Sequence, residues 1–265
     1  MAHIDTHAPG SFCWFELATS DQDAAKTFYQ SIFGWAPKDV PMGPAEVYTI
    51  FTLEGRDAAA CYTLRKDQRD QGVPPHWMIY IAVANVDASA ARVALCGGTV
   101  IMPPFDVMDA GRMSVIQDPT GAFFCIWQGN KNPGTQIAGV NGTVGWADLS
   151  TPDAARAIKF YSDVFGWKVV AGKDMSPAGP NDYAYIVSGE TMIGGIPPAS
   201  MRNPHAPPHW MIYVEVADCA ATVAKARALG ATVHMDTTAI GGDTGWFAVL
   251  ADPQGAVFAL HTAAK

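Results

Sequence analysis

The chain has 265 residues, 49% of them hydrophobic, a formal net charge of -8 and five cysteines. That length accommodates one large domain or two modest ones with a sizeable core, while the acidic balance and the lack of any Lys/Arg cluster exclude an electrostatic footprint for nucleic acid. The opening MAHIDTHAPG has no apolar signal core, the longest apolar run (Met78 to Ala84) is far short of the roughly 20 residues of a membrane helix, and scattered cysteines without a CxxC pair suit a reducing compartment, so a cytoplasmic protein acting on a small organic molecule is expected.

Trp14 to Thr19 has strand character, and Ser20 reads as the cap of a helix that carries Ala24, Ala25, Phe28, Ile32 and Phe33 at helical spacing and closes at Gly34. Strands are predicted near Tyr48 to Leu53, over Ala58 to Leu64 and over Met78 to Val83, the last introduced by His76 behind a Pro-Pro pair. A second helix runs from Asp87 to Cys96, ending at Gly97 and Gly98, and two strands, Arg112 to Asp118 and Ala122 to Gln128, meet across a DPTG turn. The whole series then returns. WFELATSDQDAAKTFYQSIFGW from Trp14 matches WADLSTPDAARAIKFYSDVFGW from Trp146, HWMIY from His76 matches HWMIY from His209, and DPTGA from Asp118 matches DPQGA from Asp252. Such self-similarity marks a duplication. The expected division is a first domain over 1–130, a linker over 131–141 that is rich in Gly and Asn, and a second domain over 142–265. Each domain holds two βαβββ units, an α+β architecture in which a curved mixed sheet forms a cup with helices outside.

A strand leading into an Asp-opened Phe-Tyr helix that ends in FGW, then an NVDA strand end and a terminal DPxGA strand, resembles the vicinal oxygen chelate superfamily of glyoxalase I, extradiol dioxygenases and bleomycin- or fosfomycin-resistance proteins. The resemblance spans nearly the whole chain, twice, and is greatest to bacterial two-domain glyoxalase-like or hydroxylase-like proteins. It implies metal-ligand positions that fall here on Trp14, Met78 and Cys125 in the first cup and on Trp146, Met211 and Ala259 in the second. None carries a carboxylate or imidazole of the kind a hard or borderline divalent ion requires, so no metal cofactor is expected. His76 and His209 share the strand face of Met78 and Met211, one step nearer the strand start, and are the alternative ligands or proton carriers; backbone-satisfied strand-start histidines are the plainer account.

Glu16 and Asp148 follow the two first-strand tryptophans by two residues and therefore face into the cups, away from the helix side where Phe15, Leu17 and Leu149 belong. Among Trp14, Met78, Tyr80, Cys125 and Trp127, or Trp146, Met211 and Tyr213, a carboxylate is desolvated and its pKa rises toward the range of a general base. Tyr80 and Tyr213 share the inward face and are expected to donate to a developing oxyanion. His261 is expected inward, paired with Asp148 and Tyr213. Arg112 and Trp246, at equivalent positions, are counted with the substrate-contacting residues, and Arg112 or Arg202 is the alternative partner of an acid. Segments 195–208 and 39–46 are candidates to border a cup mouth. Three functions are weighed: a metal-independent acid–base enzyme for a planar or carbonyl-bearing molecule, a ligand-sequestering protein of the antibiotic-resistance kind, and a metal-dependent glyoxalase-type lyase or dioxygenase. With two cups in one chain, a monomer or weak homodimer is expected.

Overall fold

The computed structural model describes residues 2–44, 46–172, 182–241 and 244–264. After a short β1 (Ala2–His3), the first half runs β2 (Phe12–Thr19), α1 (Gln22–Phe33), β3 (Ala36–Pro41), β4 (Val47–Leu53), β5 (Arg56–Thr63), α2 (Lys66–Asp70), β6 (His76–Ala82), α3 (Val86–Leu95), β7 (Thr99–Val107), β8 (Gly111–Gln117) and β9 (Phe123–Gly129). Beyond β10 (Ile137–Ala138), the second half repeats it as β11 (Val144–Ser150), α4 (Ala154–Phe165), β12 (Lys168–Ala171), β13 (Ala184–Ser188), β14 (Thr191–Ile196), β15 (His209–Glu215), α5 (Cys219–Ala228), β16 (Thr232–Ala239), β17 (Gly245–Ala251) and β18 (Val257–Ala263). Each half builds one eight-stranded mixed sheet, ordered β3-β4-β5-β2-β6-β9-β8-β7 and β12-β13-β14-β11-β15-β18-β17-β16. The α+β class and the tandem βαβββ units are as the sequence predicts.

Local signals account for most boundaries. The cap of α1 is Asp21, not Ser20: its carboxylate accepts from Ala24 N at 3.0 Å, a stronger partner for the positive helix end than a neutral hydroxyl. Gly34 ends α1 in the left-handed region at φ 74, and Gly166 ends α4 at φ 72, a conformation that penalises a Cβ. The strands unmarked in the sequence pattern, β3 and β7, are the outer edges of the first sheet, rich in proline and largely exposed. Edge positions tolerate both properties. Between the sheets, the segment expected as a linker carries β10, which pairs antiparallel with β1.

Alternation divides every central strand. Phe15 and Leu17 of β2, Trp77, Ile79 and Ile81 of β6, and Phe124 and Ile126 of β9 face the helices and enter one continuous core with their counterparts from the second half. Fully burying each such side chain stabilises by about 1.5–3 kcal/mol. That core holds the halves together. Phe28 of α1 lies edge-on to Phe258 of β18 at 6.3 Å, and Tyr161 of α4 lies 5.5 Å from Phe124 of β9, so each half sets its first helix on the other's last strand.

The repeated motifs converge at this junction. Tyr29 donates to Asp252 at 3.0 Å and accepts from the Trp77 indole at 3.1 Å; Tyr161 donates to Asp118 at 3.0 Å and accepts from Trp210 at 2.9 Å. Trp35 and Trp167, from the two FGW motifs, each donate at 2.7 Å across the junction, to the carbonyls of Gly142 and Gly10. The histidines before Trp77 and Trp210 start β6 and β15, each with Nδ1 2.8 Å from a proline carbonyl, Pro74 or Pro207. They are backbone-satisfied. Among the described residues no helix is long and apolar enough to cross a membrane.

Candidate functional site

The other face of the first sheet is a cup. Trp14, Ala60, Tyr80, Met113, Cys125 and Trp127 form a second buried cluster, joined by Tyr48 and Ile50 of β4 and by Phe105 and Val107 of β7. Strands β4 and β7 lie near opposite edges of the sheet, so their side chains share one cluster only because the sheet is rolled. Glu16 stands in this lining, directly across from Met78 in register. Its Oε1 accepts from Tyr80 at 2.8 Å and its Oε2 from Tyr48 at 2.7 Å, while the Tyr48 oxygen accepts from the Trp14 indole at 2.9 Å. Every donor therefore points toward one carboxylate. Burial raises the Glu16 pKa, opposed by the two tyrosine hydrogen bonds, and burial beside Glu16 carries the Tyr48 and Tyr80 hydroxyls well above the usual phenol range. The side chain keeps partial contact with solvent.

The second cup repeats the arrangement more tightly. Asp148 accepts from Tyr213 at 2.8 Å, from the Trp146 indole at 2.9 Å and from Tyr183. It is 5% exposed, and burial raises its pKa against those three donors. The shorter aspartate draws its indole donor directly, where Glu16 reaches Trp14 through Tyr48. Gly195 of β14 makes room for this, because a Cβ there would collide with the Tyr183 hydroxyl; Ala60 is its counterpart across from Glu16.

Strand parity places Trp14, Glu16, Met78, Tyr80, Cys125 and Trp127 together in the first cup, and puts Trp146, Asp148, Met211 and Tyr213 on one face in the second. The expectation of substrate contact fails for Arg112 and Trp246, which alternation turns outward. Arg112 lies on the helix side of β8, bound to Asp87 at 2.8 Å and Asp106 at 2.9 Å, so it neither touches the cup nor pairs with Glu16. Trp246 of β17 is 47% exposed on the corresponding outer face; the neighbouring residues Met113 and Phe247 are the ones that turn inward, Phe247 with its ring 6.4 Å from Tyr213. His261 does point inward, yet its partner is Glu215, with Nδ1 2.9 Å from both carboxylate oxygens, rather than Asp148. Arg202 makes no ion pair with Asp148, whose hydrogen-bond donors are aromatic side chains. Sequence reasoning missed Tyr48 and Tyr183. The duplication carried their signal, since VYTIF and DYAYIV place a tyrosine at the same step before β5 and β14.

The positions that the family resemblance marks for metal ligands offer poor donors: an indole, a thioether and a thiol whose pKa burial raises in the first cup, and an indole, a thioether and a methyl group in the second. Neutral thiols and indoles are not ligands for divalent ions, and no group of three His, Cys, Asp or Glu side chains suited to an ion exists among the described residues. These residues do not fit the group. Two open surface clefts lie outside the cups, one between α1 and the start of α5 beside Phe33, Asn141 and Lys225, the other beside α4 near Thr151, Ile196 and Pro198.

Comparison with known proteins agrees with this architecture. CFP32 of Mycobacterium tuberculosis (strain CDC 1551 / Oshkosh), named as a glyoxylase, is 42% identical over 261 residues, covering 98% of this chain and 97% of its own. The anthracycline biosynthesis protein DnrV of Streptomyces peucetius is 36% identical over 265 residues, covering 96% of this chain and 93% of its own. Among solved structures, the Mn(II)-bound glyoxalase of Novosphingobium aromaticivorans superposes with a TM-score of 0.68 at 16% identity over 97% of this chain and 83% of that one. The 2,3-dioxygenase LapB of Pseudomonas sp. KL28 gives 0.64 at 12% identity over 98% and 94%. The family model described as Glyoxalase/Bleomycin resistance protein/Dioxygenase superfamily matches residues 11–126 and again 143–260, and the chain belongs to that superfamily.

Proposed function

We propose that this chain is a metal-independent enzyme that binds a small planar or carbonyl-bearing organic molecule in its aromatic cups and moves a proton with the Glu16 carboxylate. The observation that carries the proposal is a desolvated carboxylate held between two tyrosine hydroxyls on an otherwise apolar floor. Glu16 takes the proton from the carbon beside a substrate carbonyl, and Tyr80, or Tyr48, turns its hydroxyl from the carboxylate to the oxygen on which negative charge develops. The two events assist each other. Each tyrosine hydrogen bond lowers the Glu16 pKa, so a hydroxyl that leaves for the substrate makes Glu16 the stronger base as the proton moves. Asp148, Tyr213 and Tyr183 repeat the set in the second cup. The tryptophan and methionine lining favours flat, polarisable ligands, a description that anthracyclines, the polycyclic aromatic ketones in the names of two relatives, also meet.

One observation favours sequestration without chemistry: both carboxylates already have hydrogen-bond partners on both oxygens. The experiment is binding of 1-tetralone, a flat aromatic ketone with hydrogens on the carbon beside its carbonyl, followed by quenching of tryptophan emission, with deuterium exchange at that carbon as the measure of conversion, for wild type and Glu16→Gln. Ligand conversion that Glu16→Gln lowers while binding persists supports the enzyme. Saturable binding without conversion supports sequestration. About one ion retained per cup after incubation with nickel, zinc, iron(II) or manganese overturns metal independence.

A further inference from the structure

The cups differ at one end. In the first, that end is closed by Trp127, whose indole donates to the Asn132 carbonyl at 2.9 Å, with Cys13 and Ala82 beside it. In the second, the equivalent residues are His261, Gly145 and Glu215, so three neighbouring positions that are apolar in the first cup carry an imidazole, a glycine and a carboxylate in the second. Glu215 and His261 face each other in register on the parallel strands β15 and β18, one step beyond Tyr213 along the cup face. The imidazole Nδ1 lies 2.9 Å from each carboxylate oxygen. Gly145 is part of the arrangement, because a Cβ there would stand 2.6 Å from Glu215 Oε1. Both side chains keep solvent contact, 23% for His261 and 25% for Glu215.

We propose that Glu215 and His261 form a carboxylate–imidazole dyad that is the general acid–base of the second cup, acting on the proton beside a carbonyl of a small neutral ketone. The proposal rests on the acid–base function given above and moves that function, in the second cup, from Asp148 to the dyad. Asp148 is 5% exposed and already accepts three donors, which suits a scaffold better than a base. Glu215 fixes the tautomer with hydrogen on Nδ1 and stabilises the imidazolium, the division of labour that makes a buried carboxylate useful behind a histidine. The lone pair on Nε2 takes a proton from the carbon, the C–H electron pair becomes the enolate, and Nε2 returns the proton to carbon or oxygen. No oxidant or metal enters the balance. Around the ring stand Glu215 of β15, Phe247 of β17 in register with His261, Gly145 of β11 and the Thr244 carbonyl before β17. Glu215 is the only charged partner within reach among the described residues. Its hydrogen bond raises the His261 pKa, against burial.

The test is deuterium exchange at the CH2 of 2-hydroxyacetophenone, followed by proton NMR in D2O. Glu16→Gln is expected to leave an exchange activity that belongs to the second cup. Adding His261→Gln should lower that remainder by about 10²-fold or more, and adding Glu215→Gln instead should move its pH midpoint downward. His261→Asn serves as a second variant, with melting curves to confirm folding. Exchange in Glu16→Gln that His261→Gln and His261→Asn leave unchanged overturns the dyad, as does absence of exchange in Glu16→Gln. If wild type and Glu16→Gln exchange equally and His261→Gln abolishes it, the dyad stands and the role assigned to Glu16 falls.

Discussion

Glu16→Gln should change how stability depends on pH, and the sign follows from its surroundings. Burial raises the Glu16 pKa above its ordinary 4.5. Between the unfolded and the folded value the native state keeps a proton that the unfolded chain has lost, so unfolding free energy falls as pH rises. Each unit of elevation costs wild type about 1.4 kcal/mol at neutral pH. Glutamine has no such titration. It does carry a fixed penalty, because its amide has one acceptor for two tyrosine donors, and Tyr48 already accepts from Trp14 at 2.9 Å. One buried hydrogen is left unpaired, at about 1–3 kcal/mol. In urea titrations from pH 4 to 8, Glu16→Gln is therefore expected to be less stable at the acid end and to gain on wild type by up to about 1.4 kcal/mol per pH unit. Parallel curves across that range would refute a desolvated carboxylate at Glu16.

Tyr161→Phe strands two buried groups at the junction, the Trp210 indole and Asp118 Oδ2, and should cost about 2–6 kcal/mol in urea unfolding, with Tyr29→Phe behaving alike; a loss below about 0.5 kcal/mol would show that water replaces the hydroxyl. Gly195→Ala places a methyl group on the Tyr183 hydroxyl, so it should displace that donor from Asp148 and destabilise by about 1–3 kcal/mol, seen as a lowered melting temperature, while Ala60→Gly in the first cup lacks that clash.

What the sequence revealed about the site tracked how each residue is placed. Glu16, Tyr80, Cys125 and Trp127 sit on central strands whose opposite faces alternate between cup and helical core, so parity alone orients them. Tyr48 escaped because VYTIF carries large apolar residues on both faces, and its direction depends on a pairing with β5. Arg112 misled for a related reason: the alternation of Arg112 and Ser114 with Met113 and Val115 does not say which face is the cup, and β8 pairs with an edge strand, β7, that carries two irregularities and is hidden by Pro103 and Pro104. Glu215 is the residue whose absence distorted the expectation for His261. It ends β15, where the first half has Ala82, and a charge at a position known only as apolar from its copy attracts no notice until the strands are side by side.

The reciprocal tyrosine–aspartate bonds across the junction have a consequence for how such a chain diversifies. In a two-fold symmetric pair of separate subunits every substitution arrives twice, once on each side of the axis. Here the contacts still obey that two-fold relation, Tyr29 to Asp252 and Tyr161 to Asp118, but the halves are encoded separately. A change at one cup is inherited once. The shared core can keep its two-fold symmetry while Trp127 stands at one cup end and His261 with Glu215 at the other, so a duplicated chain gains the freedom to line its two cups differently without loosening the joint between them.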